Sequence, residues 1–267
     1  MMRKGLNSNV KICVLAMLLV SLCFVCSCKK SEPADTGTGE QTTKAPAKDP
    51  AKVPAKDPGK ETATPAESED LVPIELELPK PMFVGTPQDT KVENLEKPLG
   101  RLRPPFLAPK GTKNVAIGKP VSSSDEEPII GDIEMITDGD KEAADGSYVE
   151  LGPLKQYVTI DLEAVHEIYA VVVWHYHKQG CVYFDVVVQV ADDADFITNV
   201  RTIFNNDIDN SSGLGVGTDK HYTETNEGRL IDAKGVKARY VRLYSRGNTT
   251  NDLNHYIEVA VYGKPAQ

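Results

Sequence analysis

Between residues 114 and 263 the apolar and polar positions alternate with a period of two rather than 3.6. YVTIDL (157–162), EIYAVVVWHY (167–176), VYFDVVVQVA (182–191), RTIF (201–204), ARYVRLYS (238–245) and HYIEVAVYG (255–263) are the predicted strands. β-Branched and aromatic residues dominate each of them, and pieces rich in Gly, Asn and Asp separate them. No stretch of this region carries an apolar stripe at helical spacing with caps. Many short strands joined by polar loops predict an all-β domain, a sandwich of two sheets, and about 150 residues suffice for one core.

Ahead of this region the pattern changes three times. Arg3, Lys4 and Lys11 precede the apolar run ICVLAMLLVSLCFV (12–25), which has the make-up of a signal peptide and falls short of the ~20 residues of a spanning helix. Its end, VCSC (25–28), resembles the acylation motif of bacterial lipoproteins. Small Ser27 precedes Cys28, so the resemblance implies cleavage after residue 27 and lipidation of Cys28; the alternative is an ordinary cleaved signal. Residues 28–70 repeat Ala, Lys, Asp and Pro with almost no large apolar side chain, the composition of a disordered, semi-stiff tether. Residues 71–113 regain apolar residues, yet proline recurs too often for a helix or a central strand, which predicts an extended arm. Leu76, Met82, Phe83, Phe106 and Leu107 are its docking side chains, either onto its own domain or onto a partner. The expected location is a lipid-anchored membrane surface, facing the periplasm or the cell exterior.

Composition narrows the function. A formal net charge of −9 over 267 residues, with no basic stripe, argues against nucleic acid. Of five cysteines, Cys13, Cys23 and Cys26 leave with the signal and Cys28 takes lipid. Cys181 alone remains, so an intramolecular disulfide is not expected.

NVAIGKPVSSS (114–124), ITDGD (136–140), YVTIDL, ARYVRLY and the closing IEVAVYG together resemble, in order, the landmarks of discoidin domains. These are also called coagulation factor 5/8 type C domains, of the galactose-binding-like superfamily. The resemblance covers residues 114–263 and implies a jelly-roll β-sandwich that binds ligands through loops at one end and is rarely catalytic. The chain departs from the pattern in a long insertion between RTIF and ARYVRLY (205–237).

The resemblance also implies a structural Ca2+ held by Asp138 and Asp140 of an Asp-Gly turn and by Glu258, with carbonyls from Met135 and Ile257. Calcium takes about six to eight oxygens near 2.4 Å, and carboxylates with carbonyls supply them. The alternative is a plain turn and a strand glutamate paired with arginine. Asp207, Asp209, Ser211 and Gly213 form a weaker calcium-loop pattern or an Asx-rich turn.

VVVWHYHKQG (171–180) concentrates the remaining chemistry. His175 and His177, two apart on a strand, share a face. Three readings stand: metal-dependent hydrolysis, ligand binding, and structural polar residues bonded to the insertion. A hydrolase barrel needs about 250 residues, more than this body has. In the ligand-binding reading His175, Tyr176 and His177 join Arg246 and Asn248 of the loop SRGNTTNDLNH, with Tyr148 as a further contact. Tyrosine faces take sugar rings, and imidazole or guanidinium donors fix hydroxyls. Arg239 and Arg242 are expected to cover a strand face, and Trp174 to lie in the core. The expected function is therefore non-catalytic carbohydrate recognition. A structural protein binding an envelope partner through the arm and insertion comes second, and a metal-dependent hydrolase a distant third.

Overall fold

The computed structural model describes residues 70–82 and 90–267. The signal peptide, Cys28, the tether and Phe83 lie outside the described residues. Those described form strands and one 3-10 turn, Ile133–Thr137. The all-β expectation is met. β1 (Leu71–Pro73) pairs with β2 (Leu107–Pro109), and β5 (Val149–Leu151) with β10 (Asn254–Tyr256). The main antiparallel sheet adds β3 (Lys113–Asn114), β4 (Val121–Ser123), β6 (Gln156–Trp174), β7 (Val187–Ala191), β8 (Arg201–Asn205), β9 (Arg229–Ser245) and β11 (Glu258–Pro265). Its order is β3-β11-β6-β9-β7-β8, with β4 also on β6.

Two long strands build both layers. The register of β6 on β9 shifts between Asp161 and His166 and again between Ile168 and Ala170. Such irregularities bend strands. Ahead of the shift β6 pairs with β4, and beyond it with β11. Val158, Ile160 and Leu162 from the first half of β6 meet Ile168, Val171 and Val173 from the second in one core. Val188 and Val190 of β7 and Val241 and Leu243 of β9 complete it at period two. Each of these side chains contributes about 1.5–3 kcal/mol on burial.

The second half of β6 is apolar on both faces because both are covered. Ala170, Val172 and Trp174 point away from the main core into a second cluster, where Ile74, Leu76 and Phe106 of the arm pack. Tyr262 Oη donates to Glu75 O at 3.0 Å, and Asn226 Nδ2 to Pro79 O at 2.9 Å. The arm thus packs on its own domain, while Met82 and Leu107 stay largely exposed.

Some strand boundaries differ from expectation. Residues 157–162 and 167–176 fuse into β6, which stops at Trp174, so His175 and His177 follow the strand rather than share its face. Residues 182–186 form a loop whose N–H groups find loop partners: Phe184 N donates to Gly247 O and Val186 N to Asn206 Oδ1. The last nine residues of the insertion, 229–237, are the first half of β9. Gly228 begins that run at φ 61°, and a Cβ there would sit 2.8 Å from the Trp174 ring. Only glycine fits this approach.

Candidate functional site

The end of the body beyond β6 is built by β5, β10 and the loop from β6 to β7. His255 of β10 stands opposite Glu150 of β5 in the antiparallel register. Its Nε2 donates to Glu150 Oε2 at 3.0 Å, which leaves Nδ1 to accept from Tyr183 Oη at 2.7 Å. Burial pushes the His255 imidazole below its ordinary range, and the Glu150 hydrogen bond partly offsets this. Tyr183 stacks on His175, with centroids 4.3 Å apart and planes at 17°.

His175 and His177 are both 0% exposed. His175 Nδ1 lies 2.6 Å from Glu224 Oε1, and Glu224, in the insertion, is itself buried. His177 Nε2 donates to the Lys141 carbonyl at 3.0 Å, next to the Asp-Gly turn. The expectation that these imidazoles touch a ligand is therefore corrected. One braces the insertion and the other the turn, because the chain leaves the sheet at Trp174 and dives inward. Neither histidine belongs to a cluster of three or more His, Cys, Asp or Glu at metal-ligating distances among the described residues.

Tyr176 and Tyr148 do come together. Their half-buried rings lie 4.6 Å apart, tilted at 44°, and both border the His255 ring, at 6.1 and 5.8 Å. Lys178 Nζ donates to Asp145 Oδ1 at 2.5 Å, and Tyr176 Oη approaches the same oxygen at 3.4 Å. The Lys178 hydrogen bond holds Asp145 below the ordinary carboxylate range, so it is an acceptor at neutral pH. Burial, then the nearby carboxylates, keeps the Tyr148 phenol protonated. For Tyr176 burial acts first, and Lys178 partly opposes it. The Cys181 thiol, pushed up to about 12 by burial, donates weakly to Tyr176 O at 3.4 Å. The result is a pair of aromatic faces with a carboxylate and an ammonium beside them. Asp145 and Lys178 went unrecognised in the sequence because nothing in their spacing links residues 33 apart.

Arg246 and Asn248 do not join this pair. Asn248 is buried and spent on its own loop: Nδ2 donates to Asn251 Oδ1 and Leu253 O, and Oδ1 accepts from Thr250 N. Arg246 lies 3.8 Å from Asp185 and lines a separate pocket with Phe184, Asp209, Ser211 and His221. Their placement is corrected accordingly; the tight Asn248 turn points its backbone, not its side chain, toward neighbours.

The anticipated calcium ligands are only partly assembled. Glu258 is buried; Oε2 accepts from Gly139 N at 3.1 Å, and Oε1 has no partner. Burial pushes its carboxyl up to about 8. Asp138 and Asp140 are exposed, and each spends an oxygen on the turn itself, on Asp140 N and Glu142 N. The three carboxylates do not converge as a ligand cluster; instead the ammonium of Lys141 reaches Gly139 O at 3.1 Å. Asp207 and Asp209 meet Asp185 within 4.8 Å. Asp207 accepts from the N–H groups of Asp209, Ser211 and Ser212, the pattern of an Asx-rich turn.

Arg239 pairs bidentately with Asp161, at 2.7 and 2.8 Å, and Arg242 lies over Tyr157 and Phe196. Both cover the outer face of β9. Trp174 is fully buried and donates Nε1–H to Asn226 O at 3.0 Å.

No family profile and no curated protein matches the chain. Among solved structures it is similar to a family 89 glycoside hydrolase from Clostridium perfringens, at 18% identity and a TM-score of 0.42. That overlap covers 57% of this chain and 15% of the hydrolase. A fucose binding module of Streptococcus pneumoniae overlaps at 17% identity and a TM-score of 0.41, over 57% of this chain and 96% of the module. A CBM32 of AlyQ, in complex with 4,5-unsaturated mannuronic acid, overlaps at 18% identity and 0.38, over 53% and 92%.

Proposed function

We infer that the chain is a non-catalytic module that binds carbohydrate across the Tyr148–Tyr176 pair. The observation that carries this reading is the pair itself: two tilted, half-exposed phenol rings 4.6 Å apart with Asp145 and Lys178 at their edge. Aromatic faces stack on the apolar face of a sugar ring, and a carboxylate and an ammonium accept from and donate to its hydroxyls. His255 and Glu150 stiffen the platform from beneath. Single sites of this kind bind weakly, and lipidation of Cys28 would compensate by raising effective concentration at a membrane. Palmitate labelling that persists in Cys28→Ala would exclude that anchor.

The buried, unpartnered Glu258 Oε1 fits a cation at the Asp-Gly turn. Glu258, with Asp138, Asp140 and the Met135 and Ile257 carbonyls, would hold Ca2+ there and stiffen the scaffold. Millimolar Ca2+ is then expected to raise Tm by several degrees in the wild type and not in Glu258→Gln, as a thermal melt reads directly.

A glycan array probed with the full chain tests the sugar reading. Saturable signal that falls roughly tenfold or more in Tyr176→Ala and Tyr148→Ala, with folding intact, supports it. A silent array, or signal indifferent to both substitutions, removes it.

A further inference from the structure

A cavity of ≈ 660 Å³ opens between the arm and the insertion, and neither tyrosine of the platform lines it. One wall is residues 96–103 with Pro81 and Met82, and the other residues 222–223 and 225–230. Its size is in the range of about 300–1,000 Å³ typical of ligand sites.

The polar groups of the walls divide into committed and free. Glu96 is taken by Arg229, whose Nη1 donates to both carboxylate oxygens at 2.8 and 2.9 Å. Glu227 accepts the Arg103 N–H at 2.9 Å, while the Arg103 guanidinium donates to Gly228 O and Glu227 O. Both carboxylates are thereby used. Arg229 Nε is buried with no hydrogen-bond partner among the described residues, and the buried Tyr222 phenol interacts with Glu224. Burial drives the Tyr222 phenol well above its ordinary range, so it stays a donor. Lys97 and Arg101, exposed on the rim, make no hydrogen bond or ion pair among the described residues. The free groups at the rim, Lys97 and Arg101, are thus both cationic donors, and the acceptor they suit is anionic.

The rest of the wall is aliphatic. Leu99 is 58% and Leu102 72% exposed, and together with Met82 they give one wall a contiguous apolar face. Aliphatic walls suit leucine-like side chains better than sugar hydroxyls. The backbone of residues 97–102 makes no backbone hydrogen bond among the described residues, so an extended chain finds donors and acceptors there. Together these features favour a peptide over a sugar or a small acid.

We propose that this cavity binds a short extended peptide of another protein in which carboxylate and aliphatic side chains alternate. Arg101 and Lys97 meet the carboxylates at the rim, and Leu99, Leu102 and Met82 pack on the aliphatic side chains.

The test is fluorescence anisotropy of the full chain with labelled acetyl-Leu-Glu-Leu-Glu-Leu-amide. Saturable binding is expected, weakening with salt, with the Gln-for-Glu peptide and the Lys97→Glu/Arg101→Glu double variant each about tenfold weaker. Both lysine and arginine are exposed and unpaired, so the double variant keeps its Tm; Leu99→Ser weakens binding independently. Equal binding of the acid and amide peptides, indifference to charge reversal, or no saturation by about 1 mM overturns the proposal. So does displacement by decanoate at matching concentration, which assigns the cavity to small amphipathic acids. Binding that emerges only when residues 83–89 are replaced by Gly and Ser overturns it too, in favour of the chain's own segment as occupant.

Discussion

His175 and Tyr176 are consecutive in the chain, yet one is wholly enclosed and the other half-exposed on an aromatic platform. The same contrast separates His177 from Tyr148. The histidines hold segments together: His175 grips Glu224 in the insertion, and His177 grips the Lys141 carbonyl beside the Asp-Gly turn. The tyrosines rest on each other and turn their edges to Asp145 and Lys178. Residue chemistry alone made the histidines the better site candidates. Enclosure reversed the assignment, because a group without exposed surface cannot meet a ligand, whatever its donors.

The largest effect that sharpens this contrast is expected from His175→Ala. It removes a fully buried ring and strands the Glu224 carboxyl in the interior; a buried polar group left unsatisfied costs about 1–3 kcal/mol, and the cavity adds to this. Urea unfolding should show that loss, whereas Tyr176→Ala should cost about 1 kcal/mol in the same assay while removing sugar binding. Similar losses in both variants would erase the distinction between brace and platform.

A smaller, pH-dependent effect belongs to His255, which lies between the two groups. Its imidazole faces Glu150, Tyr183, Tyr148, Tyr176 and His175. Its folded-state pKa is depressed, so the unfolded chain takes up a proton first as the pH falls. The stability this contributes is fully present above the ordinary histidine range near pH 6.5 and is lost as the pH drops toward the folded-state value. The urea midpoint should therefore decline between about pH 7 and 5, and less steeply in His255→Gln. Parallel profiles for the two proteins would show that the ring is not the titrating group.

The smallest effect is expected from Arg246→Ala. Its guanidinium is exposed and 3.8 Å from Asp185, and such surface pairs are worth about 0–1 kcal/mol. Stability and sugar binding should both stay near wild type; a binding loss as large as that of Tyr176→Ala would place Arg246 on the platform after all.

Much of the fold was legible beforehand. The alternation in YVTIDL and ARYVRLYS marked both as strands, and in the structure Val158, Ile160, Val241 and Leu243 fill the core at that period. The unbroken AVVVW run read as strand, and its lack of alternation reflects a sheet covered on both faces, by the main core and by Ile74, Leu76 and Phe106 of the arm. The site was legible only in part. Tyr148 and Tyr176 were singled out and do meet, whereas Arg246 and Asn248 belong to a loop that turns elsewhere. Strand pairing brought in His255 and Glu150, and the loops before β5 and after β6 brought in Asp145 and Lys178; none of the four is marked by local spacing.

What the sequence determined by itself was the class of structure: period-two alternation leaves a strand one way to bury its apolar side, and polar, Gly-rich intervals leave the loops outside. What only the tertiary structure decided was which polar residues face water. The direction of a side chain beyond a strand's last residue depends on where the next segment packs, and here the insertion and the Asp-Gly turn close over His175 and His177 while leaving Tyr176 at the surface. That outcome is set by contacts between residues tens of positions apart, which no local pattern encodes.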